Sequence, residues 1–196
     1  MKKNRIIIFD TTLRDGEQSA GASMSIEDKI EIATKLNEMK VDIIEAGFPF
    51  ASKGDFQAVK KVSEISTHSI ICGLARAQDK DIDTAGEALA PAEKKRIHTF
   101  ISTSDLHMKY KLRMSKKEVL ESIKKSIARA SKYTSDIEWS PEDASRTNLD
   151  FLYKSIEVAI VWPGESVKAS FKTRSPMSAI PRDLGQIPFK DSNDHD

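Results

Sequence analysis

Short apolar runs alternate with amphipathic stretches through most of this 196-residue chain, and this alternation restricts the possible folds more than any other feature. Each predicted strand is four to six residues long, which suits a buried β-strand, and those at 96–101 and 136–140 also contain polar residues. The stretches between them repeat apolar residues at intervals of three and four, which predicts helices. The strands are predicted at residues 6–9, 41–46, 69–74, 96–101 and 136–140, and the helices at 25–39, 54–66, 79–90, 115–133 and 147–159. Such alternation indicates βα units around a parallel sheet.

Two α/β folds have this order of elements, an open doubly wound sheet and a TIM barrel. No Gly-x-Gly-x-x-Gly follows the first strand, which weakens the case for a dinucleotide-binding sheet. A TIM barrel has eight βα units in about 250 residues, so we expect a partial (β/α)8 barrel of about five units in residues 1–160. Residues 161–196 contain four prolines and no helical periodicity, which predicts a divergent, irregular and poorly ordered tail. Alternation at 167, 169 and 171 weakly predicts a short strand within it.

A dense group of polar residues directly follows the first predicted strand. Ile6–Phe9 is a continuous apolar run, as expected of a strand buried on both faces, and Arg14 and Asp15 come soon after it. Parallel strands present active sites at their carboxyl ends. A carboxylate oxygen suits a hard divalent cation, and the planar fork of an arginine suits a carboxylate or keto oxygen. A structural Arg–Asp pair explains the same residues equally well.

Polar residues also end the other four predicted strands, where they would share one rim. The candidates are Glu45, Arg76, His98, Thr99, Glu138 and Glu142. Each has a structural alternative. Glu45 could cap a neighbouring helix or pair with Arg76, and Glu142 could pair with Arg146 at helical spacing. His98 could be a core histidine whose ring nitrogens are both hydrogen-bonded.

Charge and cysteine content restrict the partners and the compartment. The net charge is +1, which provides no electrostatic basis for binding nucleic acid or a membrane surface. The one cysteine, Cys72, excludes a disulfide framework and fits a reducing compartment. No apolar run approaches the ~18 residues of a membrane span, and the first residues lack a signal-peptide pattern. We therefore expect a cytoplasmic protein, with Cys72 as a small core residue rather than a nucleophile.

The residues after the first strand form a long and specific motif, Phe-Asp-Thr-Thr-Leu-Arg-Asp-Gly-Glu-Gln at positions 9–18. On this motif the chain resembles the 2-isopropylmalate synthase family, metal-dependent acyltransferases with a TIM barrel. The resemblance continues at the end of each later strand and extends to about residue 160. The segments that carry it are Glu45–Pro49, Ser52–Phe56, Gly73–Arg76, Arg96–Asp105, His107–Leu112 and Glu138–Ala144. Citramalate and homocitrate synthases are the nearest alternatives.

The resemblance implies a Claisen-type condensation and assigns roles to the rim residues. The expected reaction joins acetyl-CoA to 3-methyl-2-oxobutanoate and yields 2-isopropylmalate for leucine biosynthesis, with a divalent metal, Mn²⁺ or Mg²⁺, as Lewis acid. Asp15 is expected to bind this metal. Arg14 is expected to orient the keto acid and stabilise the developing alkoxide, with Glu142 as the second catalytic residue. The expected substrate-binding residues are Arg14, Glu45, His98 and Thr99.

The sequence departs from the family at the metal site. The family's barrel continues with an Asn-Ile-Pro-Asp-Thr-Val-Gly strand and a later His-x-His metal pair, and this sequence contains neither. Asp15 is then a single ligand without the two imidazoles, so we expect this chain to be inactive by itself. The alternatives are a non-catalytic relic and a partner subunit. A partner would dock on a complete synthase or form a homo-oligomer, because an open sheet leaves strand edges to pair.

Overall fold

The strands of the sheet lie side by side in the same order as in the chain. The computed structural model describes residues 5–161 and 167–169. Every neighbouring pair of strands is parallel. A doubly wound sheet would reverse its strand order at a switch point, whereas an unbroken order is that of a TIM barrel opened along one side. The predicted partial barrel of the α/β class is therefore confirmed.

Strands and helices alternate strictly as far as residue 102, and a short helical segment then precedes the next long helix. The strands are β1 (Phe9–Asp10), β2 (Ile43–Gly47), β3 (Ile70–Arg76), β4 (Lys95–Ser102), β5 (Ile137–Glu142) and β6 (Val167–Ala169). The helices are α1 (Ile26–Glu38), α2 (Lys53–Ile65), α3 (Asp79–Ala88), α4 (Asp105–His107), α5 (Lys116–Ala130) and α6 (Leu149–Ile160). One turn of π-helix, Met108–Leu112, continues α4.

Side-chain caps determine where several helices begin. The Ser25 and Ser115 side chains accept hydrogen bonds from the backbone amides of Asp28 and Glu118. The Asp28 and Glu118 carboxylates in turn accept from the backbone amides of Ser25 and Ser115, which completes two capping boxes. The fifth predicted helix begins one residue later than the sequence pattern indicates. Its cap is the Asn148 side chain, which accepts from the Phe151 amide. Thr147 instead closes a turn of 3-10 helix over Ala144–Arg146.

The prediction that residues 6–9 form a strand buried on both faces is wrong. Only Phe9 and Asp10 pair with β2. Ile6, Ile7 and Ile8 are 81%, 61% and 54% exposed. Within the described residues β1 is the edge of the sheet, so this apolar run lacks the second neighbour and the covering layer that the prediction assumed.

The two faces of the sheet differ in polarity because side chains alternate along each strand. One face is apolar and packs on the helices, where Ile71, Ile97 and Trp139 belong to one continuous core. Consecutive long helices contact one another along this side. The opposite face carries buried polar residues, among them Glu45 and His98. In a complete barrel that face would be the interior.

The last part of the chain is described over three residues. Val167–Ala169 pair with Ile137–Trp139 as β6, where alternation weakly predicted a strand. The remainder of the predicted poorly ordered tail lies outside the described residues. Over 5–161 and 167–169, no helix combines the length and apolarity needed to cross a membrane.

Candidate active site

Four polar side chains from separate elements form one hydrogen-bonded chain on the polar face of the sheet. Arg14 Nε donates to Glu45 Oε2 at 3.1 Å, and Glu45 Oε1 lies 2.6 Å from His98 Nδ1. His98 Nε2 lies 2.7 Å from Ser140 Oγ. Glu45 and His98 are 0% and 1% exposed, so these bonds form away from water. The structure thus brings Arg14, Glu45 and His98 together, and their catalytic roles stay a prediction.

A network of ion pairs lies beside these four hydrogen-bonded side chains, on the same face of the sheet. Arg96 Nη1 donates to Glu138 Oε2 at 2.9 Å, and its other nitrogens donate to Asp136. Burial disfavours the charged guanidinium, yet the bonds to Asp136 keep the pKa of Arg96 above its usual value. Glu138 Oε1 is buried without a hydrogen-bond partner among the described residues, 4.0 Å from His98 Nε2. Such an orphaned carboxylate oxygen makes the surroundings attractive to a cation.

Cys72 lies against the buried carboxylate–imidazole pair. Glu45, Cys72 and His98 each offer one possible ligand atom, and these three atoms all lie within 4.8 Å of one another, so the group could hold a metal ion. Burial raises the pKa of the Cys72 thiol well above its ordinary value, and the Glu45 carboxylate raises it further. A buried thiol of raised pKa is a poor nucleophile. Its full burial agrees with the prediction of a core residue.

Asp15 lies at the solvent edge of the hydrogen-bonded chain. Its Oδ1 accepts from Arg14 Nη1 at 2.8 Å, and its side chain is 47% exposed. Mg²⁺ demands near-octahedral geometry, and both Mg²⁺ and Mn²⁺ prefer oxygen ligands. The nearby Asp10 carboxylate is occupied by the Thr12 amide and hydroxyl. Next to Arg14, the described residues therefore supply one accessible carboxylate, that of Asp15, which does not form a complete site for either cation by itself.

Glu142 lies at the end of β5, away from Arg146. Its carboxylate accepts from Lys111 Nζ at 2.7 Å and from the Ser102 hydroxyl. Burial raises the pKa of Glu142, but the bonds from Lys111 and Ser102 outweigh burial and hold that pKa below its usual value. Arg146 pairs instead with Asp143, so the suggested Glu142–Arg146 pair is wrong. Glu142 is consequently ionised at neutral pH and joins β5 to the helical segment after β4.

Two other candidates do not join the hydrogen-bonded residues Arg14, Glu45, His98 and Ser140. Thr99 follows His98 on β4 and is opposite Trp139 and Ala75 in register, so alternation directs it to the helix-covered face. Its hydroxyl is buried there without a hydrogen-bond partner among the described residues. The structure therefore does not bring Thr99 together with His98. Arg76 pairs with Asp81 at 2.6 Å rather than with Glu45, whose partners are given above.

Several residues of the site were not predicted from the sequence. Ser140 contacts His98, and Ser102 and Lys111 hold Glu142. A period of two could have revealed Ser140, because it lies between Glu138 and Glu142 on the same face of β5. Lys111 has no comparable signal, since it reaches the site only through the fold of the segment after β4.

Known proteins resemble this chain in sequence. A protein-family model described as HMGL-like matches residues 5–165. A 2-isopropylmalate synthase of Rhodopseudomonas palustris (strain BisB5) is 57% identical over 159 residues, which cover 81% of this chain and 30% of the relative. The chain thus spans about a third of the length of the curated relatives it matches.

Solved structures resemble the fold. An HMG-CoA lyase of Acinetobacter baumannii, in complex with coenzyme A and 3-methylmalate, superposes with a TM-score of 0.64 at 18% identity over 83% of this chain and 55% of that chain. An HMG-CoA lyase of Bacillus subtilis superposes with a TM-score of 0.67 at 16% identity over 84% of this chain and 57% of that chain. At these identities the likeness concerns the TIM-barrel-like fold alone.

Proposed function

The chain belongs to the HMGL-like family, and on this premise we propose that its half-barrel is the substrate-holding part of a 2-isopropylmalate synthase, an acyltransferase. In the proposed reaction the methyl group of acetyl-CoA loses a proton, and the resulting enolate attacks the keto carbon of 3-methyl-2-oxobutanoate. Hydrolysis of the thioester then releases coenzyme A and 2-isopropylmalate. The identity of 57% to synthases over 159 residues supports this choice of substrates.

The observation that carries the proposal is the Arg14–Glu45–His98 chain. Glu45 holds Arg14 through Nε and Asp15 holds it through Nη1, so the guanidinium plane is preorganised. A guanidinium held in this way binds the carboxylate of a 2-keto acid and stabilises negative charge that develops on the keto oxygen. His98, fixed between Glu45 and Ser140, supports the Glu45 carboxylate from its buried side.

Glu142 is the proposed proton acceptor for the acetyl methyl group. The bonds from Lys111 and Ser102 keep it ionised at neutral pH, as a proton acceptor must be, and by lowering its pKa they also make it a weaker base. The same bonds orient the carboxylate toward the rim where the strands end. We assign Thr99 no contact with the substrate, because it lies on the opposite face of β4.

The Lewis-acid part of the reaction needs ligands beyond those of this chain. Asp15 is the family's expected protein ligand for Mn²⁺ or Mg²⁺ that this chain retains, and the sequence contains no His-x-His pair to complete the site. We therefore propose that this chain binds the keto acid but does not turn over by itself.

Thiol release from acetyl-CoA tests turnover directly. The chain is given Mn²⁺ or Mg²⁺ and, in turn, 3-methyl-2-oxobutanoate, pyruvate and 2-oxoglutarate, which separate isopropylmalate, citramalate and homocitrate synthesis. We expect no release above the protein-free rate. Release with one keto acid would identify the substrate and would contradict the proposal that the chain is inactive alone.

Ligand-detected NMR without metal tests the substrate-holding role. We expect 3-methyl-2-oxobutanoate to show saturation transfer from the wild-type chain and to lose it with Arg14→Gln. Arg5→Gln is the matched control, because Arg5 pairs with Asp42, which directly precedes β2. This pair lies at the amino-terminal ends of the strands, whereas the rim lies at their carboxyl ends. Equal transfer in wild type and Arg14→Gln would exclude Arg14 as the anchor.

A second candidate function is that of a partner subunit, favoured by the exposed edge before β1. Ile6, Ile7 and Ile8 remain largely exposed, and β1 pairs with one neighbour among the described strands. An unpaired apolar edge can add a strand from another chain. The occupant proposed here is a complete 2-isopropylmalate synthase.

Gel filtration of the chain with and without a full-length synthase tests the partner function. Co-elution that is lost with Ile7→Lys would support docking through this edge. Separate elution at roughly 10 μM of each protein, a concentration near the Kd of a weak complex, would refute docking. That result would leave the substrate-holding proposal untouched.

A further inference from the structure

We propose that Glu45, Cys72 and His98 form a site for a thiophilic divalent cation such as Zn²⁺, distinct from the oxygen-ligand site expected at Asp15. The inference rests on the buried cluster itself and does not require the proposed reaction. A set of one carboxylate, one thiol and one imidazole is typical of zinc, because thiolate and imidazole donors suit borderline-soft metals. Mg²⁺ and Mn²⁺ would find only one suitable ligand atom here.

The geometry needs little rearrangement to accept a metal. The three candidate ligand atoms lie within 4.8 Å of one another. Tetrahedral zinc, with bonds of about 2.0–2.3 Å, places its ligand atoms roughly 3.2–3.8 Å apart. Nitrogen and oxygen ligands of tetrahedral zinc lie about 3.3 Å apart, so the His98 Nδ1–Glu45 Oε1 separation of 2.6 Å must open by about 0.7 Å, and the metal then takes the place of the hydrogen between these two atoms. Three protein ligands leave a fourth position for water.

The charges around the cluster favour a cation. Two buried guanidinium groups, Arg14 and Arg96, face three carboxylates, Glu45, Asp136 and Glu138. Glu138 Oε1 adds a second observation, since among the described residues it is buried without a hydrogen-bond partner beside the His98 ring. A cation bound to Glu45, Cys72 and His98 would lie close to this carboxylate oxygen.

The protons balance when the metal binds. The Cys72 thiol proton is released to solvent as the Sγ–metal bond forms. Metal on Nδ1 of neutral His98 requires the ring proton to reside on Nε2. Two acceptors lie near that atom, Ser140 Oγ at 2.7 Å and Glu138 Oε1 at 4.0 Å. The otherwise orphaned Glu138 oxygen thereby gains a donor that can orient the metal-bound ring, a common arrangement around ligand histidines.

Arg14 closes the cluster on the solvent side. Its side chain is 13% exposed and joins the half-exposed Asp15 to the buried Glu45. A cation that enters along this line must pass Arg14. The Arg14 contact uses Glu45 Oε2 and the proposed metal ligand is Oε1, so the Arg14–Glu45 bond can form again once the metal is bound.

Cobalt spectroscopy on the full chain is the sharpest test, because Cys72 is the only cysteine in the sequence. A thiolate bound to Co²⁺ gives an intense sulfur-to-metal band in the near ultraviolet, which aspartate and histidine ligands elsewhere in the chain cannot produce. We expect this band on titration with Co²⁺ and its loss on addition of Zn²⁺. No band at saturating Co²⁺ would overturn the proposal.

Variants assign the other ligands. His98→Gln and Glu45→Gln should each weaken cobalt binding by at least tenfold, whereas Asp15→Asn and His107→Gln should leave the band unchanged. Loss of the band with Asp15→Asn alone would refute a separate site. If circular dichroism shows that Cys72→Ser does not fold, X-ray absorption of the zinc-loaded wild type tests whether Cys72 binds the metal. One sulfur at about 2.3 Å supports the site, and an all-nitrogen-and-oxygen shell excludes it.

Discussion

Replacing Gly86 by alanine should destabilise the protein even though the glycine lies inside a helix. Gly86 is buried in α3, and a Cβ added to it would lie 2.3–2.6 Å from three ring carbons of Tyr133, which follows α5. Ordinary contacts begin near 3.4 Å, so the ring would have to retreat by about 1 Å. Tyr133 also donates to Asp83 Oδ1 at 2.8 Å, and the retreat would stretch that bond.

The net effect can be estimated from three opposing quantities. Overpacking costs about 1–3 kcal/mol, and the partly exposed hydrogen bond of Tyr133 adds about 1 kcal/mol. Alanine gains about 1 kcal/mol over glycine in helix propensity. We therefore expect Gly86→Ala to lower the free energy of unfolding by about 1–3 kcal/mol. Gly54→Ala is the matched control, because the nearest atom to its added Cβ, Ser52 Oγ, lies at 3.6 Å.

Urea unfolding followed by circular dichroism measures this effect, with the slope m checked for constancy. A double-mutant cycle isolates the cause. In a Tyr133→Ala background the clash is absent, so Gly86→Ala should become stabilising by up to about 1 kcal/mol. The same destabilisation in both backgrounds would show that the Tyr133 ring is not what requires glycine at this position.

Two further predictions concern acid stability and helix capping. The pKa of Glu142 is below its usual 4.5 in the folded chain, so its stabilising effect is present at neutral pH and is lost as the pH falls below about 4.5. In thermal melts at pH 7, the wild type should have a higher Tm than Glu142→Gln, and this difference in Tm should shrink toward pH 3. A difference in Tm that stays constant with pH would contradict the prediction. Ser115→Ala removes the capping box of α5 and should cost about 1 kcal/mol in urea unfolding, whereas Ser115→Asp should retain most of the stability.

The sequence predicts the elements well because local physics dominates them. Apolar periodicity locates β2 to β5 and the long helices to within a few residues, and the Ser25 and Ser115 caps follow from hydrogen bonds three residues apart. The same reasoning fails at Ile6–Ile8. An apolar run indicates burial only when the fold supplies neighbours, and the described sheet has none outside β1.

The site shows the same division between local and distant determinants. The rule that parallel strands end at one edge brings Arg14, Glu45 and His98 together from the sequence alone. It does not select partners, since Glu45 had Arg76 as an equally plausible ion pair by sequence. Side chains alternate between the two faces along β4, so Thr99 points away from the face that carries His98. The rule that strands end at one rim does not separate two neighbouring residues in this way.

The sequence by itself determined the βα order, the Ser25 and Ser115 caps and the family, because each depends on residues close together in the chain or on a contiguous motif. Tertiary structure alone decided that Cys72 lies against Glu45 and His98, that Glu138 keeps an orphaned oxygen, and that Lys111 reaches Glu142. The physical reason is strand register. A shift of one residue between neighbouring strands would turn Cys72, Glu138 or Glu142 to the opposite face, and register depends on the packing of the whole sheet. Lys111 reaches Glu142 through the fold of the helical segment after β4.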